Sequence, residues 1–301
     1  MIGAKGNRTI LVTGINGQVG FDLLRTLQGL GRVIPTDRAA LDLRRPDAIR
    51  AFVREARPSI IVNPAAYTAV DQAETDAVTA RQINAEAPAV LAEEAKRLGA
   101  VFVHYSTDYV FDGNKTAPYA EADVTGPQSV YGATKLEGEQ AIAAANCVHL
   151  IFRTSWVYGR RGKNFLLTML RLAEQRPELR VVADQIGAPT WSATVATLTA
   201  HVLAQGAGAL GNLHEWAALR SGVYHLTATG STSWAGFAEA IFQRSDRTPA
   251  PRVVPIPAAE YPMLAQRPAN SRLDTSKLTE VFGITPPAWR DALDLCLGGA
   301  C

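Results

Sequence analysis

Short, uninterrupted apolar runs alternate with stretches whose apolar positions recur every three to four residues, and this alternation is strongest in the first half of the chain. Thr9–Thr13, Arg32–Thr36, Ser59–Val62, Val101–Ser106 and Val148–Arg153 read as strands. Runs such as Ile60-Ile61-Val62 and Val101-Phe102-Val103 have no polar face, as expected of strands covered on both sides. Between them the spacing predicts helices over Phe21–Leu27, Pro46–Ala56, Ala85–Leu98 and Tyr131–Ala144. Strand and helix in strict alternation imply α/β architecture: a Rossmann-type, doubly wound parallel sheet with helices on both faces. After Arg153 the rhythm changes. Asn164–Glu174 and Ser192–Leu203 read as helices, Leu179–Val182 and Gly222–Leu226 as strands, Gln205–Asn212 as a loop, and Arg247–Pro268 is heavily punctuated by proline. The expected division is a dinucleotide-binding lobe over residues 1–155, with segments around 190–230 returning to it, and a smaller α/β substrate lobe over 156–301.

Gly14, the Asn63-Pro64-Ala65-Ala66 stretch and Ser106-Thr107 all fall at the carboxyl ends of predicted strands, the edge where ligands bind in open parallel sheets. The first is the most explicit. Gly14-Ile15-Asn16-Gly17-Gln18-Val19-Gly20 lies between a strand and a helix. In that setting Gly14 permits the tight turn, Gly17 lets backbone approach a pyrophosphate, and Gly20 lets the helix pack against the strand. The helix N-terminus then offers N–H groups to the phosphates. The expected ligand is NADPH or NADH. Asp37, 23 residues after Gly14, suits the adenosine ribose hydroxyls, whereas Arg38 beside it suits a 2′-phosphate. Asp42 and Leu43 are candidates to flank the adenine.

Tyr131 and Lys135 stand one helical turn apart on the same face. An ammonium beside a phenol stabilises the phenolate and makes tyrosine a usable acid at neutral pH. Thr107, at a strand end, can complete the site. The same i, i+4 spacing occurs on ordinary surface helices, and the glycine turn upstream is what favours the chemical reading.

Composition narrows the class. The 301 residues are 47% hydrophobic with a formal net charge of +2, and no Lys/Arg run is interleaved with aromatics, so neither nucleic acid nor membrane is an expected partner. The first eight residues lack the apolar core of a signal peptide, and Cys147, Cys296 and Cys301 form neither a disulfide framework nor a metal motif. A cytoplasmic location and no metal are expected.

Taken together, Thr13–Gly20, Val62–Asp71, His104–Phe111, Val130–Lys135, Ile151–Tyr158, Asp184–Thr190 and Arg267–Leu273 resemble the extended short-chain dehydrogenase/reductases over nearly the whole chain. Within that family the resemblance is to reductases of nucleotide-linked keto sugars. It implies NAD(P)H-dependent reduction of the C4 keto group of dTDP-4-dehydro-L-rhamnose. Tyr131 would be the proton donor, Lys135 would lower its pKa and hold the nicotinamide ribose, and Thr107 would hydrogen-bond the sugar oxygen. Ala65, Ala66, Tyr67 and Asn84 would line the nicotinamide side, although the family often has His at the Tyr67 position. Trp156 would lie against the sugar ring, with Asp108 nearby, while Asn164, Gln185, Arg267 and Arg272 are candidates for the nucleotide-sugar end. Related dehydratases carry Asp-Glu after the threonine; here Tyr109 follows Asp108, which argues for simple reduction. A reductase or 4-epimerase of another keto sugar, and a non-catalytic regulatory subunit, are the alternatives. Some relatives dimerise through magnesium held by glutamates. Here Asp22, an acid-free 191–197 stretch and Arg290 stand instead, so a monomer or weak metal-free homodimer is expected.

Overall fold

A computed structural model describes residues 8–208, 212–245 and 250–298. Six parallel strands form the central sheet: β1 (Thr9–Val12), β2 (Arg32–Pro35), β3 (Ile60–Asn63), β4 (Val101–Thr107), β5 (His149–Thr154) and β6 (Gly222–His225). Their spatial order is β6-β5-β4-β3-β1-β2, so the winding reverses between β1 and β3. A crevice at that reversal is the ligand position of doubly wound folds.

Each face of the sheet has its own core. Ile10, Val12, Val62, Val103 and Phe152 point to one face and pack with α1 (Gln18–Thr26) and α6 (Ser192–Gly208). Leu11, Ile61, Phe102 and Ile151 point to the other and pack with α2 (Pro46–Ala56) and α3 (Ala87–Leu98). This is the period-2 alternation of strand side chains, with apolar residues on both faces because both are covered. Helix α4 (Val130–Ala144) also packs against α3. A third core joins α5 (Phe165–Ala173), α7 (Trp234–Arg244) and α8 (Trp289–Leu297) to the parallel pair Glu178–Val182 and Arg252–Ile256.

Predicted and observed elements differ mostly by one or two residues. The exception is Gln205–Asn212, expected as a loop. Residues 205–208 instead extend α6, and 209–211 lie outside the described residues. Tertiary packing overrides the glycines: Gly206 lies directly against Trp216 and Leu213, and Gln205 Nε2 donates to the Phe282 carbonyl at 2.7 Å. The readings of residues 1–7, of 247–249 and of Cys301 fall outside the described residues. Asp22 accepts a 2.6 Å hydrogen bond from Ser192. Among the described residues no cluster of metal-ligating side chains occurs, and no helix is long and apolar enough to cross a membrane.

Inside the sheet edge, Arg153 on β5 makes two bonds to Glu139 on α4, of 2.9 and 2.6 Å, with both side chains buried. Removing one partner of such a pair strands the other charge. Glu139→Leu is expected to cost about 3–5 kcal/mol in urea unfolding. Glu178→Ala, breaking the exposed pair with Arg252, is expected to cost under about 1 kcal/mol.

Candidate active site

The glycine turn closes as the spacing predicts. Gly14 has φ +58°, open to glycine without strain, and an added Cβ would come within 2.8 Å of the Ala65 Cβ. The N–H of Gly17 donates to the Gly14 carbonyl at 2.9 Å, and a Cβ on Gly20 would collide with that carbonyl. Gly17 is the N-cap of α1 and has no side-chain cap, so the first N–H groups of the helix face the turn. The cradle is thus one that side chains would fill, and it fits the pyrophosphate of a dinucleotide. Asn16 Nδ2 donates to Asp37 at 3.2 Å, tying the turn to the end of β2. The backbone N–H groups of Ala40 and Ala39 hold the Asp37 carboxyl below its usual range. Asp42 is gripped by Arg44 and drops to about 2, while Leu43 is buried in the sheet core. Gln18 Oε1 accepts from Asn164 at 2.8 Å. Asn164 caps α5 through Leu167 N–H, so the structure places it beside the glycine turn.

The loop after β3 carries Ala65, Ala66 and Tyr67. Asn84 fixes it from behind: its Oδ1 accepts from Tyr67 N–H at 2.8 Å, and its Nδ2 donates to the Tyr67 carbonyl and to Thr134 on α4. Asn84 sits in a π-helical turn, Gln82–Glu86, a widened turn that recurs at functional sites.

The candidate acid–base residues Thr107, Tyr131 and Lys135 come from β4 and α4. Ser129 caps α4 by accepting from Gly132 N–H, and Glu74 accepts the Val130 N–H at 2.8 Å. Two side chains therefore satisfy helix-end donors on either side of Tyr131. Desolvation pushes the Tyr131 phenol above its ordinary pKa, with the Thr107 hydroxyl opposing. Thr107 Oγ1 donates to Asp108 Oδ1 at 3.1 Å and accepts from Tyr109 N–H. Burial raises Asp108 to about 6, offset in part by Ser271 and Thr107. Lys135 is 2% exposed, and its Nζ donates to the Tyr105 carbonyl at 2.6 Å. Burial lowers Lys135 to about 8, with Glu139 acting the other way. Behind it, His104 Nε2 lies 3.1 Å from Nζ.

Trp156, at φ +48°, is stacked on Trp234 with ring centroids 3.5 Å apart. Trp234 lines a cleft of about 740 Å³ together with Phe165, Gln185, Tyr261, Met263 and Arg267. The cleft lining does not include Thr107, Tyr131 or Trp156; Arg267 links the two regions. Its guanidinium donates to Tyr109 Oη at 2.9 Å and to Asp71 at 2.7 Å, and the Tyr109 ring stands edge-on to Tyr131 at 5.4 Å. Arg272 lies apart from the cleft lining and holds a neighbouring loop through Asn270 Oδ1 and the Thr116 carbonyl. Sequence reasoning assigned no role to Asp71, Glu74, Tyr109 or His104. The two acids three residues apart after the β3 loop were the available signal.

A switch-point glycine turn with threonine, tyrosine and lysine brought to the same sheet edge defines a Rossmann-type NAD(P)-binding protein of the reductase and epimerase class. The sequence pattern described as the RmlD substrate binding domain matches residues 8–300. A protein of Burkholderia thailandensis named dTDP-4-dehydrorhamnose reductase is 53% identical over 296 residues, covering 96% of this chain and 97% of that protein. The crystal structure of a Clostridium acetobutylicum dTDP-4-dehydrorhamnose reductase superposes with a TM-score of 0.88 at 38% identity, covering 96% of this chain and 98% of that one. The Bacillus anthracis dTDP-4-dehydrorhamnose reductase, solved in complex with NADP, gives 0.87 at 35% identity, with the same coverage of 96% and 98%. The chain belongs to the dTDP-4-dehydrorhamnose reductase family.

Glu74→Ala is expected to destabilise the protein by about 1 kcal/mol, the scale of a lost helix-end acceptor. It is also expected to lower the rate of hydride transfer, because Tyr131 sits next to the freed N–H. Glu74→Gln, which keeps an acceptor oxygen, should restore most of both, as read by thermal unfolding and single-turnover kinetics.

Proposed function

We propose that this protein reduces the C4 keto group of dTDP-4-dehydro-L-rhamnose to dTDP-L-rhamnose, with Tyr131 as proton donor and NADPH or NADH as reductant. The observation that carries the reading is the pairing of a half-buried Tyr131 with the buried Lys135 one turn along α4, beside a cradle fit for a dinucleotide. Membership of the family supports this choice of substrate.

Gly14, Gly17 and Gly20 would hold the pyrophosphate, Asp37 and Arg38 would face the adenosine ribose, and Ala65, Ala66, Tyr67 and Asn84 would bound the nicotinamide side. A bound dinucleotide supplies the hydride. The residues of this chain do the rest. Thr107 would donate a hydrogen bond to the keto oxygen once its hydroxyl proton, held by Asp108 Oδ1 in the free protein, turns toward it. As the carbonyl carbon gains hydride, the oxygen becomes an alkoxide and takes the proton from Tyr131 Oη. The Lys135 ammonium stabilises the phenolate that remains, so charge develops beside a fixed positive group. The lobe of residues 156–301 would bind the sugar nucleotide, with Gln185 and Arg267 in the cleft. Arg267 suits a diphosphate because its planar fork bonds two oxygens. Trp156 would lie toward the sugar through its stack with Trp234. Tyr109 in place of a second acid after Asp108 favours reduction over dehydration.

NADPH and NADH oxidation should be followed with the purified protein and dTDP-4-dehydro-L-rhamnose generated in situ. Turnover to dTDP-L-rhamnose is expected, and Tyr131→Phe should lower kcat by roughly 10²–10⁴, the usual worth of a general acid. Folded protein that binds dinucleotide yet oxidises neither cofactor would sink the substrate assignment.

The pH profile follows from Lys135. Its amine is lowered to about 8, so the ammonium is present below that pH and lost above it. The rate of reduction is therefore expected to be level near neutrality and to fall as pH rises past about 8, while Lys135→Met should remove that limb along with most activity.

A further inference from the structure

The side of Lys135 facing away from the expected reaction carries a buried polar chain that no step above uses. Asn63 ends β3 and lies in register with His104 on β4. Asn63 Nδ2 is 3.1 Å from His104 Nδ1, and Asn63 Oδ1 accepts from Thr13 Oγ1, at the end of β1, at 2.5 Å. His104 Nε2 is 3.1 Å from Lys135 Nζ. All four side chains are almost wholly buried. Three adjacent strands and α4 thus contribute one residue each to a line that ends on the catalytic amine.

Hydrogen-bond bookkeeping gives this line a direction. An ammonium has three donors and no lone pair, so the ring nitrogen facing it must accept. Burial and the neighbouring Lys135 charge hold His104 neutral, leaving one ring proton. That proton must then be on Nδ1, which requires the Asn63 amide to turn over from its orientation in the structure, so that its oxygen accepts from Nδ1 and its nitrogen faces Thr13. We infer that His104 is a positioning residue for Lys135: its neutral imidazole, protonated on Nδ1, offers the Nε2 lone pair to the ammonium, and the turned Asn63 amide holds that tautomer. The inference rests on the reductase reading for its kinetic consequence; the tautomer rests on the 3.1 Å approach of Nε2 to Nζ and on the neutrality of the buried ring.

The physical consequence concerns how Nζ is held. The Tyr105 carbonyl satisfies one ammonium proton and His104 a second, so the amine is pinned on two sides and one proton is left for a further acceptor. A hydrogen bond accepted from the charged form favours that form and offsets part of the burial penalty. The other charged group acting on Nζ is Glu139 on its own helix, already paired with Arg153 from β5. Among the described residues no carboxylate forms an ion pair with Nζ that could replace the imidazole. Losing His104 should therefore misplace the amine and lower its proton affinity together.

The test compares His104→Leu with His104→Gln, whose amide can again present an acceptor toward Nζ. In the leucine variant kcat should fall at least tenfold with less than a twofold change in sugar KM. The alkaline limb of the pH profile should move about one unit toward acid. The glutamine variant should recover most of the rate and the position of the limb. Unchanged kinetics in the leucine variant, or equal losses in both variants with no movement of the limb, would overturn the role. Nitrogen-15 NMR of histidine-labelled wild-type protein without substrate reads the tautomer independently of any variant's folding. The His104 resonances, assigned by their absence in the glutamine variant, should show a protonated Nδ1 and a bare Nε2. The reverse tautomer overturns the inference. A wild-type protein that does not reduce the keto sugar would instead count against the proposed substrate and leave the tautomer result standing.

Discussion

How near α4 can come to its neighbours decides whether this site exists. Two glycines set that distance. A Cβ on Gly132 would collide with the Tyr109 carbonyl just beyond β4, and one on Gly138 with the Asn84 carbonyl in the π-helical turn. Helix interiors disfavour glycine by about 1 kcal/mol relative to alanine. Here that cost is offset by bringing the Tyr131–Lys135 face into contact with the strand edge and with the turn that grips the Tyr67 loop. Gly14 and Gly20 do the same at the first strand. Both the expected cofactor cradle and the acid–base pair depend on backbone approaching backbone where no side chain fits.

Charge is arranged around this close packing in a consistent way. Lys135 is buried with neutral acceptors, its nearest acid, Glu139, being engaged by Arg153. Asp108, lifted by burial to about 6 beside Thr107, is the acid closest to the tyrosine. Arg267 is spread between Tyr109 and Asp71 and so joins the cleft to the loop after β3.

The strand-and-helix order was legible because the strands are covered on both faces and carry unbroken apolar runs. The glycine turn was legible because each glycine answers a separate steric demand. That Tyr131 and Lys135 share a helix face was legible from spacing, but only the glycine turn upstream singled that pair out from ordinary surface-helix pairs. What the sequence could not show was contact between distant segments. Arg267 and Asp71 are 196 positions apart, and Glu74 reaches Val130 across 56. Asn164 illustrates the opposite case: an amide expected at the substrate end serves as a helix cap and reaches Gln18 at the glycine turn. Residues 205–208 were misread because local glycine content suggested a loop, and burial against Trp216 decided otherwise.

The stacked indoles of Trp156 and Trp234 have an optical consequence. Rings 3.5 Å apart and 8° from parallel are in van der Waals contact, so their electronic transitions couple and the pair absorbs as a unit. Trp234 borders the cleft and Gly187 presses on the face of Trp156, so displacement of either ring by an occupant of the cleft would uncouple them. The region around the cleft therefore carries its own chromophore, whose near-ultraviolet circular dichroism would report on the cleft without any added label.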